Sequence, residues 1–174
     1  MRLLGAILAG GQSRRFGSDK AQALVEGERL IDLVASALAD QCEAVVVCGR
    51  EEEGFVCIAD LPVAGLGPLG GLNAALHHAI AHGFDAVLSS GCDVPNLPPD
   101  VATQLASEGA GHATEQPVVG FWPAALAPEC SAFLQSGGRS LYRFGEHVGA
   151  RQVAVSPPLR NINAPADLGV TRIQ

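Results

Sequence analysis

This sequence predicts a mostly parallel α/β sheet with helices on both faces, and three observations carry that prediction. Short apolar runs alternate with stretches whose apolar residues recur at helical spacing. Two glycine-rich loops sit where a strand would hand over to the next element. No linker, internal repeat or low-complexity segment interrupts the alternation, and 174 residues is the length of one domain.

The first run, Leu3 to Leu8, reads as a buried strand. Leu24 to Leu30 reads as a short hairpin or loop. Leu30, Val34 and Leu38 then step at helical spacing, with Ala37 filling the stripe. Ala44–Cys48 and Phe55–Ile58 are the second and third strands, the latter ending beside Asp60. Gly65–Gly71 opens a helix at Pro68, with Leu69, Leu72, Leu76 and Ile80 as its apolar face. His77, His78 and His82 lie off that face and read as a solvated polar side, not as metal ligands. Asp85–Ser89 is the fourth strand, closed by the turn Ser90–Pro95.

The second half is less regular. Pro98-Pro99-Asp100 opens a helix carrying Val101 and Leu105, and residues 109–114 show no clear period. Gln116–Trp122 reads as a strand, Leu126–Leu134 and Ser140–Glu146 as helical, and Val153–Val155 as a last short strand. Asn161–Pro165 precedes a final short helix, for which Asn163 could serve as N-cap.

Composition excludes several classes. The chain is 48% hydrophobic and 5% aromatic, so its core is mostly aliphatic. No apolar run approaches the ~20 residues that span a bilayer. No secretory leader is visible, and a cytoplasmic location is expected. A net charge of −7 argues against a nucleic-acid surface. Cys42, Cys48, Cys57, Cys92 and Cys130 are scattered without a C-x-x-C pair and read as small buried hydrophobes. The triplet Glu51-Glu52-Glu53 reads as a solvated turn.

Against that acidic background the loop after the first strand stands out. Gly10 and Gly11 let backbone N–H groups approach a ligand without a Cβ clash. Arg14, Arg15 and Lys20 follow, and Lys20 is the only lysine in the chain. Bare amides beside three cations suit a polyanion such as a triphosphate. The spacing is neither that of a P-loop nor that of a dinucleotide fingerprint. The Gly67-Pro68-Leu69 loop offers helix-start amides, which suit a base edge or a phosphate. Asp93, just beyond the fourth strand, lies where open α/β sheets bind ligands, and its hard oxygens suit Mg²⁺ bridging to phosphates.

Four motifs in this order resemble the molybdenum cofactor guanylyltransferases. They are L-A-G-G-x-S-x-R-x-G-x-D-K from Leu8 to Lys20, G-P-L-G-G from Gly67 to Gly71, C-D-x-P from Cys92 to Pro95, and N-x-N-x-P-x-D-L from Asn161 to Leu168. The resemblance covers almost the whole chain. It implies a three-layer, Rossmann-like GT-A-type nucleotidyltransferase domain over residues 1–174. About 1–100 would form the nucleotide and Mg²⁺ half, and about 101–174 the pterin half.

The resemblance also implies roles. Leu8, Ala9, Gly10, Gly11, Lys20, Asp60, Gly67, Pro68, Leu69 and Asp93 would bind the nucleotide, with Asp93 holding Mg²⁺. Lys20, Asp93 and Arg14 would be catalytic. Gln116, Pro117, Arg139, Asn161 and Asn163 would face the pterin. Phe16, Gly71 and Cys48 depart from the usual pattern, and a thiol at Cys48 cannot replace an amide that contacts nucleotide in some members. The implied substrates are GTP and molybdopterin or its Mo-loaded form, without nucleic acid or membrane. The implied partners are other cofactor-biosynthesis proteins and molybdoenzymes in transient contact. Two alternatives stay open: a cytidylyltransferase of the same fold acting on molybdopterin or another small acceptor, and a nucleotide-binding protein without catalysis.

Overall fold

A computed structural model describes residues 1–10, 19–106, 108–162 and 167 of the chain. Leu3–Leu8 (β1), Ala44–Cys48 (β4), Val56–Ile58 (β5), Ala86–Gly91 (β6), Gly111–Ala113 (β7), Gly120–Pro123 (β8) and Arg151–Val153 (β9) form one sheet. Its order is β5-β4-β1-β6-β8-β7-β9. Every neighbouring pair is parallel except the two that involve β8, which runs against both β6 and β7. The mostly parallel α/β sheet expected from the sequence is the sheet observed.

The period-two geometry of β1 divides the core. Leu4, Ala6 and Leu8 pack on one face with Leu69, Leu72 and Leu76 of α2 (Pro68–His82) and Leu134 of α4 (Ala127–Gln135). Phe144 of α5 (Leu141–His147) joins them. Leu3, Ile7 and Ala9 pack on the other face with Ile31, Val34 and Leu38 of α1 (Leu30–Ala39) and with Val101 and Leu105 of α3 (Val101–Leu105). Helices therefore cover both faces, as a sheet buried on both sides requires.

Leu24–Val25 (β2) and Glu28–Arg29 (β3) make the hairpin of residues 24–30. Its two-residue turn places Glu26 and Gly27 at φ 51° and 89°, the left-handed geometry that matches strand twist. The hairpin leads directly into α1.

Three expectations shift. Ile80 is 51% exposed, and Ala79 is buried in its place. At 3.6 residues per turn, i+7 lies about 20° from Leu72 around the helix, whereas i+8 lies about 80° away. The strand expected over Gln116–Trp122 is shorter: residues 116–119 form a turn closed by Val119 N donating to Gln116 O at 2.8 Å, and β8 begins at Gly120. Pro117, which lacks the N–H a ladder needs, lies within this turn. The last strand lies two residues earlier than Val153–Val155, and β7 forms where no period is visible. β7 is set by its pairing with β8 and β9, not by its own residues.

Among the described residues no helix is long and apolar enough to cross a membrane, and all five cysteines are free. His78 and His82 stack at 4.0 Å between ring centroids, and no group of three metal-binding side chains occurs among the described residues.

Candidate active site

The chain steps from β1 to β4 on one side of β1 and later returns to β6 on the other. The carboxyl ends of β1 and β6 thus flank the point where strand order reverses, the usual ligand crevice of such sheets. Lys20 and Asp93 meet at this edge. Lys20 Nζ lies 3.0 Å from Asp93 Oδ2, and both side chains are mostly buried, at 13% and 21% exposure. Lys20 is held by a single 3-10 turn over Lys20–Gln22, N-capped by Asp19, whose Oδ1 accepts from Ala21 N at 3.2 Å. Asp93 follows Gly91, where a Cβ would collide with the Asp93 carboxylate. Glycine there makes the cradle in which the carboxylate sits.

On the other side of β1 stands Asp60, only 7% exposed. Glycines surround it. A Cβ on Gly10 would lie 3.0 Å from its Oδ2, and one on Gly71 would lie 3.3 Å from its Oδ1. Gly49, at φ 86°, would put a Cβ 2.8 Å from Oδ1 and 2.7 Å from Gly10 Cα. That position demands glycine for both conformation and space. Asp60 Oδ1 is buried and accepts no hydrogen bond among the described residues. Burial raises the pKa of Asp60 above its ordinary value. A carboxylate kept in such a place is an acceptor awaiting a donor.

Leu8 ends β1 and Ala9 follows it, both buried, and Ala9 N donates to Cys48 O at 3.0 Å. Gly67 caps α2 at φ 70° without a side-chain cap, and Pro68 opens the helix. Leu69 is fully buried in the core, so only its backbone can face a ligand. Cys48 is likewise fully buried, its thiol pushed up by burial and by nearby Asp60.

Asn161 is drawn to the same edge, because the next residue, Ile162, donates its N–H to Asp93 O at 2.8 Å. Asn161 Oδ1 is buried and unpartnered among the described residues. Gln116 lines a cavity of about 220 Å³ with Thr114, Glu115, Val153 and Leu159. Asn96 ties the wall of this cavity to the Asp93 turn by donating to Pro158 O at 3.2 Å. Pro117 sits in the turn that precedes β8. Arg139 donates through one nitrogen to Leu134 O and Gly138 O, closing the end of α4. Gly11, Arg14, Arg15 and Asn163 lie outside the described residues.

The sequence reading missed one side chain. Glu52 is no solvated turn residue: it is 8% exposed and paired with Arg29 and Arg50. Arg50 is two residues away, but Arg29 and Gln22, which accompany it around the Glu52 carboxylate, come from other elements, so the triplet alone does not signal the burial.

Residues 5–153 match the MobA-like NTP transferase domain. The chain belongs to the MobA-like NTP transferase family. Molybdenum cofactor guanylyltransferases of Cereibacter sphaeroides and Rhodobacter capsulatus are each 36% identical to it, over 97% of this chain and 94% of theirs. Among solved structures, the molybdopterin-guanine dinucleotide biosynthesis protein A of Archaeoglobus fulgidus superposes with a TM-score of 0.74 at 22% identity, covering 98% of this chain and 96% of its own. The 2-C-methyl-D-erythritol 4-phosphate cytidylyltransferase of Thermus thermophilus gives 0.70 at 15% identity, over 98% and 96%. These two likenesses speak for the fold. In this MobA-like NTP transferase, the edge carrying Lys20, Asp60 and Asp93 is the candidate catalytic edge.

Proposed function

We propose that the chain transfers GMP from GTP to the terminal phosphate of molybdopterin, or of its Mo-loaded form, with release of pyrophosphate. The observation that carries this reading is the Lys20–Asp93 pair at the switch-point edge, 3.0 Å apart and mostly buried. The attacking phosphate monoester is already a dianion near neutrality, since its second pKa is about 6, so no general base is needed. Two unit charges ~4 Å apart at an effective dielectric of ~20 repel by about 4 kcal/mol, and several such pairs must be offset.

Lys20 supplies a compact ammonium for the triphosphate. Asp93 fits Mg²⁺, which binds through one or two carboxylates plus substrate phosphates and needs no ready-made cage of three protein ligands. Mg²⁺ bound there would neutralise phosphate charge. The residues themselves orient the two polyanions and hold the charges in place before reaction.

Asp60 supports guanine over cytosine. Its carboxylate, buried and with one oxygen unpartnered among the described residues, can accept from the adjacent N1–H and 2-amino donors of guanine, a pair that cytosine lacks. Gln116, Pro117, Asn161, Asn163 and Arg139 belong on the pterin side, in the half of the chain beyond residue 100. Arg14 and Gly11 complete the phosphate loop. A cytoplasmic site of action fits the five free thiols.

Labelled GTP incubated with molybdopterin and Mg²⁺ should yield pyrophosphate and a guanine dinucleotide product. Asp93→Ala should lower turnover by about 100- to 1,000-fold, the order of magnitude for a lost charge-stabilising group, with an unchanged circular dichroism spectrum. Lys20→Arg should also impair it. Near-normal turnover by Asp93→Ala would reject the assignment. Greater thermal stabilisation by CTP than by GTP would favour the cytidylyl alternative.

A further inference from the structure

Behind Lys20 lies an ionic chain that the proposed reaction does not itself use. Arg50 directly follows Gly49, past the end of β4, and grips Asp19 with two nitrogens at 2.7 and 2.5 Å. Its second nitrogen also lies 3.1 Å from Glu52 Oε2. Glu52 Oε1 accepts from Arg29 at 2.7 Å and from Gln22 Nε2 at 2.6 Å. Arg29 is in turn fixed by a two-pronged pair with Asp32 at 2.7 and 2.8 Å. The Glu52 backbone is pinned to β5, its N–H donating to Cys57 Sγ at 3.1 Å.

Three separate elements converge on this one carboxylate: the β4–β5 connection, the β3–α1 junction and the 3-10 turn that carries Lys20. The Glu52 side chain is 4% exposed, whereas Asp19 at the far end is 42% exposed. A bidentate guanidinium–carboxylate pair fixes orientation as well as distance. Arg50 commits its terminal nitrogens to Asp19 and Glu52, so it serves as a strut and not as a phosphate ligand.

We propose that Glu52 is a positioning residue for triphosphate binding: through Arg50 and Asp19 it fixes the turn that holds Lys20 opposite Asp93. The inference rests on the nucleotidyl-transfer reading above and extends it to a residue outside the cleft. Glu52 touches no substrate. Its loss should therefore be felt by the phosphates and not by the base.

The test is equilibrium binding to the full chain of Mg²⁺·GTP, inorganic tripolyphosphate and guanosine, for the unaltered protein and for E52Q, D19N, K20A and E52Q/K20A. E52Q should weaken GTP and tripolyphosphate about tenfold and leave guanosine within about twofold (~10-fold corresponds to about 1.4 kcal/mol). In the K20A background, adding E52Q should change GTP affinity less than about twofold, because the two residues act as one unit. D19N breaks the chain at its exposed end and should reproduce the pattern even if E52Q does not fold. The proposal is overturned if guanosine and tripolyphosphate weaken together, if E52Q costs as much without Lys20, or if D19N binds tripolyphosphate normally. Failure of the unaltered protein to bind GTP at all would instead overturn the nucleotide reading, and the role of Glu52 with it.

Discussion

Asp60, proposed above as a contact to the nucleotide, is costly to the fold. Burial raises its pKa above the ordinary 3.8, so the native state penalises the ionised form. That penalty is fully present above the raised value and disappears as pH falls below 3.8. Asp60→Asn should accordingly raise the melting temperature at pH 7. The gain should vanish below the ordinary carboxylate pKa. The same variant should lose about tenfold in its preference for GTP over CTP, since a charge-assisted acceptor is worth about 1.5–3 kcal/mol. Calorimetric scans across pH and competition binding check the two halves. No change in stability at pH 7 would show that the carboxylate is not desolvated as described.

At the scale of elements, α2 is the clearest case. It places Gly70 and Gly71 against Asp60 and buries Leu72 and Leu76 against β1. Its buried stripe leaves Ile80 outside and takes Ala79 instead. Leu76→Ala should cost about 2–5 kcal/mol, the usual range for emptying a packed leucine site. Ile80→Gln should stay within about 0.5 kcal/mol, as for an ordinary surface position. Urea unfolding of both variants measures the contrast, and equal costs would contradict the observed face. β7 makes the opposite point. Its three residues, Gly111, His112 and Ala113, have no strand signature, and neighbours on both sides impose their extended form.

For the whole molecule, the sheet runs without a break through both parts of the chain. β6 pairs with β8 over Ala86–Ser89, and Trp122 of β8 donates to Ser89 Oγ at 3.0 Å. The core on one face likewise mixes residues of α2 with residues of α4 and α5. The nucleotide and pterin halves proposed for function should therefore unfold together. Differential scanning calorimetry should show one transition with a heat-capacity change of about 2.1–2.6 kcal/mol/K, from about 12–15 cal/mol/K per residue. Two resolved transitions would contradict this.

Local chemistry alone determined most of the first half. Short continuous apolar runs bounded by glycines read as buried strands, glycines at their ends suit close approach, and a lysine and an aspartate after the first and fourth runs fall on one edge because parallel strands all end there. The sequence alone therefore singled out Lys20 and Asp93 as candidates for one edge, the resemblance added Asp60, and four ordered motifs pointed to the family. Only the tertiary structure decided that Glu52 is buried among arginines, that Ile80 is exposed, and that β7 exists. Each of these depends on partners outside the segment itself: Arg29 and Gln22 for Glu52, the face α2 presents to the sheet for Ile80, and β8 and β9 for β7. A side chain's burial and charge pairing are properties of what the fold brings against it, and no window of neighbouring residues contains that information.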